Sequence, residues 1–176
     1  ETLDGEIRAA YAAYQFHEVS RQIHHFCAVD LGAFYLDVIK DRQYTGQADG
    51  RPRRSAQTAL YHTLELLVRW LTPILSFTAE EIWGHMPGRR ADSVLLAQWY
   101  TLPALPDEAT DALTSAQWER LRTLRDAVNR QLERLRVAGD IGSALDAEVD
   151  VYVGEADAAL LGTLGDELRF ALICSY

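Results

Sequence analysis

Residues 51–73 read RPRRSAQTALYHTLELLVRWLTP, and this stretch decides the fold class. Pro52 suits the first turn of a helix, where the N–H it lacks would have no intrahelical partner. Ala56, Leu60, Leu64, Leu67 and Leu71 recur at three- and four-residue steps and so share one helical face. Val68 and Trp70 broaden that face. Apolarity this broad predicts a central helix of a bundle. Pro73 stops or kinks the helix, having no N–H to give the preceding turn.

Upstream, Ala9, Ala12, Phe16, Val19, Ile23 and Phe26 form another helical stripe. Leu31, Phe34, Tyr35, Val38 and Ile39 follow at once, with a kink or tight turn expected near Asp30–Gly32. Residues 45–50, TGQADG, are polar and lack periodicity, which predicts a loop. Downstream, Thr78-Ala79-Glu80-Glu81 fits a capping box and opens a short helix ended by Pro87-Gly88. Ser93–Tyr100 has some extended character, and the prolines of Leu102–Pro106 predict a boundary. Thr114–Gln117 is a second capping box, followed by the stripe Leu121, Leu124, Val128, Leu132, Leu135, with Gly139 placed for a left-handed C-cap. Leu145, Ala147, Val149, Val151 and Val153 then alternate with polar residues, predicting a half-buried strand. Ala156–Leu164 is expected to form a short helix and Leu168–Ile173 a second strand. The expected fold is therefore mainly α: a helical bundle over residues 1–101, then a long helix with a small α/β (or α+β) appendage over residues 107–176.

Of the 176 residues, 48% are hydrophobic, enough for a core. The most apolar run, Leu64–Leu75, is interrupted by Glu65, Arg69 and Pro73, so no membrane span is expected. The N-terminal Glu1-Thr2-Leu3-Asp4 carries no apolar signal region, and the missing initiator Met points to a processed or excised segment. Cys27 and Cys174 lie far apart and read as ordinary buried thiols kept reduced, which favours the cytoplasm. His17, His24 and His25 lack the paired spacing of a zinc site. No phosphate-cradling glycine motif and no nucleophile elbow is present. Glu80-Glu81 opens a helix, where the dipole accounts for the pair. The expectation is no catalytic residue, no metal and no cofactor within these residues.

The formal net charge of −9 argues against nucleic-acid binding by the chain as a whole. It directs attention to local patches. The arginines of the long helix, Arg120 to Arg136, are interleaved with Glu119, Asp126 and Glu133 and read as paired charges on an exposed face. Around the loop, by contrast, Lys40, Arg42, Arg51, Arg53 and Arg54 face only Asp41 and Asp49 and include Tyr44. Cations and a tyrosine beside a loop suit phosphate contact with base stacking.

Several runs resemble the bacterial isoleucyl-tRNA synthetase family. They are Tyr14–Val19 (YQFHEV), residues 34–45 (FYLDVIKDRQYT), residues 53–61 (RRSAQTALY) and residues 71–83 (LTPILSFTAEEIW). The proline-isoleucine-leucine to tryptophan run is shared with related class I synthetases such as the valyl and leucyl enzymes, whereas the FYLDxIKDR run is more particular to the isoleucyl one. The resemblance implies a helical anticodon-binding domain that grips the anticodon arm of an isoleucine-type tRNA beside a neighbouring catalytic domain. The parent enzyme uses ATP to load isoleucine onto that tRNA, and many members carry a C-terminal zinc module. The HIGH and KMSKS signatures and the Cys-rich module are absent from these residues, so they are expected to be inactive alone. The implied contact residues are Lys40, Arg42, Tyr44, Arg51, Arg53 and Arg54, with Trp83 as a stacking candidate or a core residue. The competing reading is an acidic helical module that docks other domains.

Overall fold

The computed structural model describes residues 2–88, 90–103 and 113–172. The chain divides into two compact units, Glu1–Ala104 and Leu105–Tyr176. Among the described residues every regular element is helical, and no helix is long and apolar enough to cross a membrane.

In the first unit, α1 (Thr2–Ala12) and α2 (Phe16–His25) are separate helices. Tyr14, at φ 56°, breaks the chain between them. The expected continuous stripe therefore does not form. Ile7 and Ala10 are buried from α1, Val19 and Ile23 from α2, while Ala9, Ala12 and Phe16 are exposed. After α2 the chain continues through a π-helical stretch, Phe26–Leu36, instead of turning near Asp30–Gly32. Gly32 serves this wider coil: a Cβ on it would lie 2.9 Å from the Cys27 carbonyl oxygen, five residues back. Cys27 is exposed, contrary to expectation, and Cys174 lies outside the described residues.

The short α3 (Lys40–Tyr44) leads by the loop into α4 (Arg51–Leu71), which begins with Pro52 in its first turn. As its broad apolarity predicts, α4 is central. Leu66 and Trp70 pack with Ile7, Ala10, Val19 and Ile23, and the Trp70 indole N–H donates to Asp4 at 2.9 Å. Val68 packs instead with Ala79, Trp83, Met86 and Val94. Each fully buried side chain of this size contributes about 1.5–3 kcal/mol. Helix α5 (Ser76–His85) starts two residues ahead of the expected cap. Leu75 stands at the N-cap position, so Thr78 lies inside the helix. Glu80 acts at longer range, its carboxylate accepting from the Val94 amide at 3.0 Å and the Ser93 hydroxyl at 2.9 Å. That contact anchors a 3-10 turn, Val94–Leu96.

In the second unit, α6 (Ser115–Ala138) carries the capping box as read. The Thr114 hydroxyl accepts from the Gln117 amide, and the Gln117 side chain accepts from the Thr114 amide at 2.8 Å. Gly139 closes the helix in the left-handed conformation, φ 83°. Leu121, Val128 and Leu132 face Ala147, Leu161, Ala171 and Leu172. Helix α7 (Glu155–Gly162) is held to α6 by Arg120 and Asp157, 2.8 Å apart. The two tail strands are corrected. Residues 144–146 form a 3-10 turn, Ala147 is extended, residues 148–153 belong to no regular element, and Leu168–Leu172 is a helix, α8. A five-residue segment that is apolar except for Arg169 satisfies a helix as well as a strand, and here it packs on α6 as a helix.

Candidate nucleic-acid interface

The loop that joins α3 to α4 brings the expected cations into one region of the first unit. Ile39 is 3% exposed and fixes the start of α3 to the core. Lys40 is exposed, Arg42 is half-buried beside Tyr35, and Tyr44 is 82% exposed. The Asp41 carbonyl accepts from the amides of Thr45 and Gly46 and from the Thr45 hydroxyl, which closes α3 and shapes the loop entry. The Gly50 amide donates to the Gln47 carbonyl at 3.0 Å and sets the loop exit.

Helix α4 then starts in an electrostatically unusual way. Gly50 supplies no capping side chain, and no acid lies in the first turn. Arg51, Arg53 and Arg54 stand there instead. A helix N-terminus carries a positive partial charge, and cations there are unfavourable by about 0.3–1 kcal/mol each. The Arg53 Nε is buried with no hydrogen-bond partner among the described atoms. Uncapped amides, a positive dipole end and exposed guanidiniums such as those of Arg51 and Arg54 are features that favour an anion such as phosphate.

Trp83 does not belong to this surface. It is 5% exposed, its indole N–H donates to the Ala91 carbonyl at 2.9 Å, and it packs against Val68 and Met86. It offers no open face for a base. Trp83→Ala is expected to cost about 3–5 kcal/mol of stability by leaving a cavity. A thermal melt checks this, and an unchanged midpoint removes Trp83 from the core.

Sequence reading missed a second charged centre. Glu65, in the middle of α4, is 2% exposed. Its carboxylate meets Arg69, one turn along the helix, and Arg90 at 2.6 Å. Burial alone raises the Glu65 carboxyl, but hydrogen bonds from Arg90, Tyr61 and Arg69 outweigh it and hold the group at about 2. Both guanidiniums lie over the Trp83 ring, at 4.9 and 4.8 Å, and Arg69 also lies over Tyr100 at 5.3 Å. Arg69 donates to the Gln98 carbonyl and Arg90 to the Pro87 carbonyl. The centre thus fastens segment 87–100 to α4. It is a structural clamp, with its donors and acceptors turned on one another. The only trace in the sequence was a Glu–Arg pair four apart inside an apolar run. Among the described residues no group of His, Cys, Asp or Glu is arranged to hold a metal ion.

Comparison with known proteins agrees with the resemblance read from the motifs. Residues 1–151 match the model of the anticodon-binding domain of tRNA ligase. Similar curated proteins include the isoleucine--tRNA ligase of Nitrosococcus oceani, 58% identical over 99% of this chain and 18% of that protein. Those of Halorhodospira halophila and Methylococcus capsulatus are 57% and 52% identical over 98% and 97% of this chain. The chain spans under a fifth of the length of these relatives, 18% in each case. With most of its length matched, the chain belongs to the family of anticodon-binding domains of tRNA ligases.

Proposed function

We propose that this chain is the anticodon-recognition module of an isoleucine–tRNA ligase. Lys40, Arg42, Arg51, Arg53 and Arg54 grip phosphates of the anticodon arm, and Tyr44 stacks on an unpaired base. The observation that carries the reading is the uncapped α4 N-terminus with three arginines in its first turn, in a chain of net charge −9 that belongs to an anticodon-binding family. A single-stranded loop with splayed bases is the RNA feature such a surface suits, because bases stack on aromatic rings while cations track the backbone. ATP-dependent loading of isoleucine is the work of a neighbouring catalytic domain in the cytoplasm, and these residues contribute binding alone.

The test is a titration against isoleucine-type tRNA and the same tRNA with an exchanged anticodon, at low and moderate salt. The expected result is salt-sensitive binding that favours the native anticodon. Equal weak binding to both tRNAs places discrimination outside this chain. Binding to other domains with little salt dependence favours the acidic docking module.

A further inference from the structure

Cations and a stacking tyrosine hold an RNA loop without reading it, since phosphates are alike and every base has a face that stacks. Reading a base takes a side chain that offers donors and an acceptor together, as a Gln or Asn amide does. Most polar side chains near the cationic platform are occupied or covered. The Thr45 hydroxyl donates to the Asp41 carbonyl at 2.8 Å, and the Thr58 hydroxyl to the Arg54 carbonyl at 2.9 Å. Gln43 is half-buried with its amide nitrogen covered. Gln47 is exposed but belongs to the loop. Gln57 is exposed on α4, and its side chain has no hydrogen-bond partner among the described residues. A helix holds a reading side chain in a tighter position than a loop does, which sets Gln57 apart from Gln47.

The neighbours of Gln57 on the helix leave its amide available. Arg53 and Arg54 precede it by four and three residues, so all three lie on one side of α4. Leu60 and Tyr61 follow at the same steps, and none of the four is an acid or an amide that would draw the Gln57 side chain onto the helix. Tyr61 closes the open strip. Its hydroxyl accepts from Arg90 at 3.3 Å and donates to the buried Glu65 carboxylate, which fixes the ring. From Arg54 to Tyr61 the strip is about 10 Å long, at roughly 1.5 Å per residue. The helix beneath it is anchored in the core through Leu66 and Trp70. We propose that Gln57 is a specificity-determining residue of the anticodon contact. Its amide hydrogen-bonds the edge of one unpaired anticodon base, while Arg53 and Arg54, one turn back, hold the phosphates beside that base. This inference rests on the reading of the chain as an anticodon-recognition module.

The experiment titrates the 176-residue chain and its Gln57→Ala variant, at two salt concentrations, with four tRNAs. One is the isoleucine-type tRNA, and the other three each carry a single exchanged anticodon base. In the variant, affinity for the native tRNA is expected to fall by at least about tenfold, the size of one lost amide–base contact. Preference should vanish at one anticodon position and persist at the other two. The salt slope should not change, because no phosphate contact is removed. Helical circular dichroism and the melting midpoint should hold, since alanine is a better helix former than glutamine at an exposed position. If the variant keeps its preference at all three positions, or loses affinity equally for all four tRNAs, the proposal is overturned while the recognition module stands. If the native chain binds all four tRNAs alike, or binds none, the module reading fails and this inference falls with it.

Discussion

Replacing Glu65 with alanine is expected to destabilise the protein by about 3–5 kcal/mol, the range found when one member of a buried charge group is removed. The loss comes from what stays behind. The Arg69 and Arg90 side chains are only 14% and 11% exposed, and without the carboxylate two like charges remain beside the Trp83 ring with no anion between them. The native centre tolerates two cations for one anion because aromatic faces supply further negative potential. They do not replace the carboxylate. Glu65→Gln keeps the shape and one acceptor, so its cost should be smaller. Urea unfolding followed by tryptophan fluorescence separates the two variants, and a loss below about 1 kcal/mol in the alanine variant would show that the guanidiniums find solvent.

The same carboxylate sets a pH window. Its folded value is about 2 against an ordinary 4.5. A depressed carboxyl contributes stability that is fully present above the unfolded value and is lost as pH falls through the folded one. The difference corresponds to about 3 kcal/mol, which should disappear between about pH 4.5 and pH 2. The stability gap between the native chain and Glu65→Gln should therefore close over that interval. A gap constant from pH 5 to pH 2 contradicts the clamp as a charged assembly.

This centre also shows where sequence reading stops. Spacing finds Glu65 and Arg69 one helical turn apart, but Arg90 reaches the carboxylate from a segment beyond α5, and no periodicity encodes that meeting. Local rules worked where local chemistry decides. The α6 capping box, the Gly139 C-cap and the Pro52 start of α4 are each set by a few adjacent residues. They failed at Tyr14, which breaks a helix without glycine or proline. They failed again in the π-helical stretch, whose glycine marks a close carbonyl and not a turn. In the tail the period of two gave the alternate burial of residues 147–153 but not the exposure of Leu145, and burial on one face does not require a neighbouring strand. For the cationic platform, the sequence exposed the imbalance of charge around the loop. Pro52 already set three of its arginines in the first helical turn; that this turn has no capping side chain and that the Arg53 Nε is buried emerged only with the structure.

Changing Arg53 and Arg54 together to alanine is expected to weaken binding of isoleucine-type tRNA by about 100-fold at moderate salt. Charge-assisted hydrogen bonds contribute about 1.5–3 kcal/mol each, so two lost phosphate contacts remove at least about 3 kcal/mol. The slope of log affinity against log salt should flatten by about 1.4–1.8, as two fewer phosphates are neutralised. Stability should move the other way or not at all. Both side chains sit in the first turn of α4, where positive charge opposes the helix dipole, so their removal relieves repulsion. The melting temperature should hold or rise slightly. Weaker binding without unfolding separates a contact surface from a structural one. The matching control is Arg130 and Arg134 to alanine, which removes the same charge from exposed positions on α6. If the control variant weakens binding equally, the attraction follows net charge alone, and the α4 N-terminus has no special part in holding the anticodon arm.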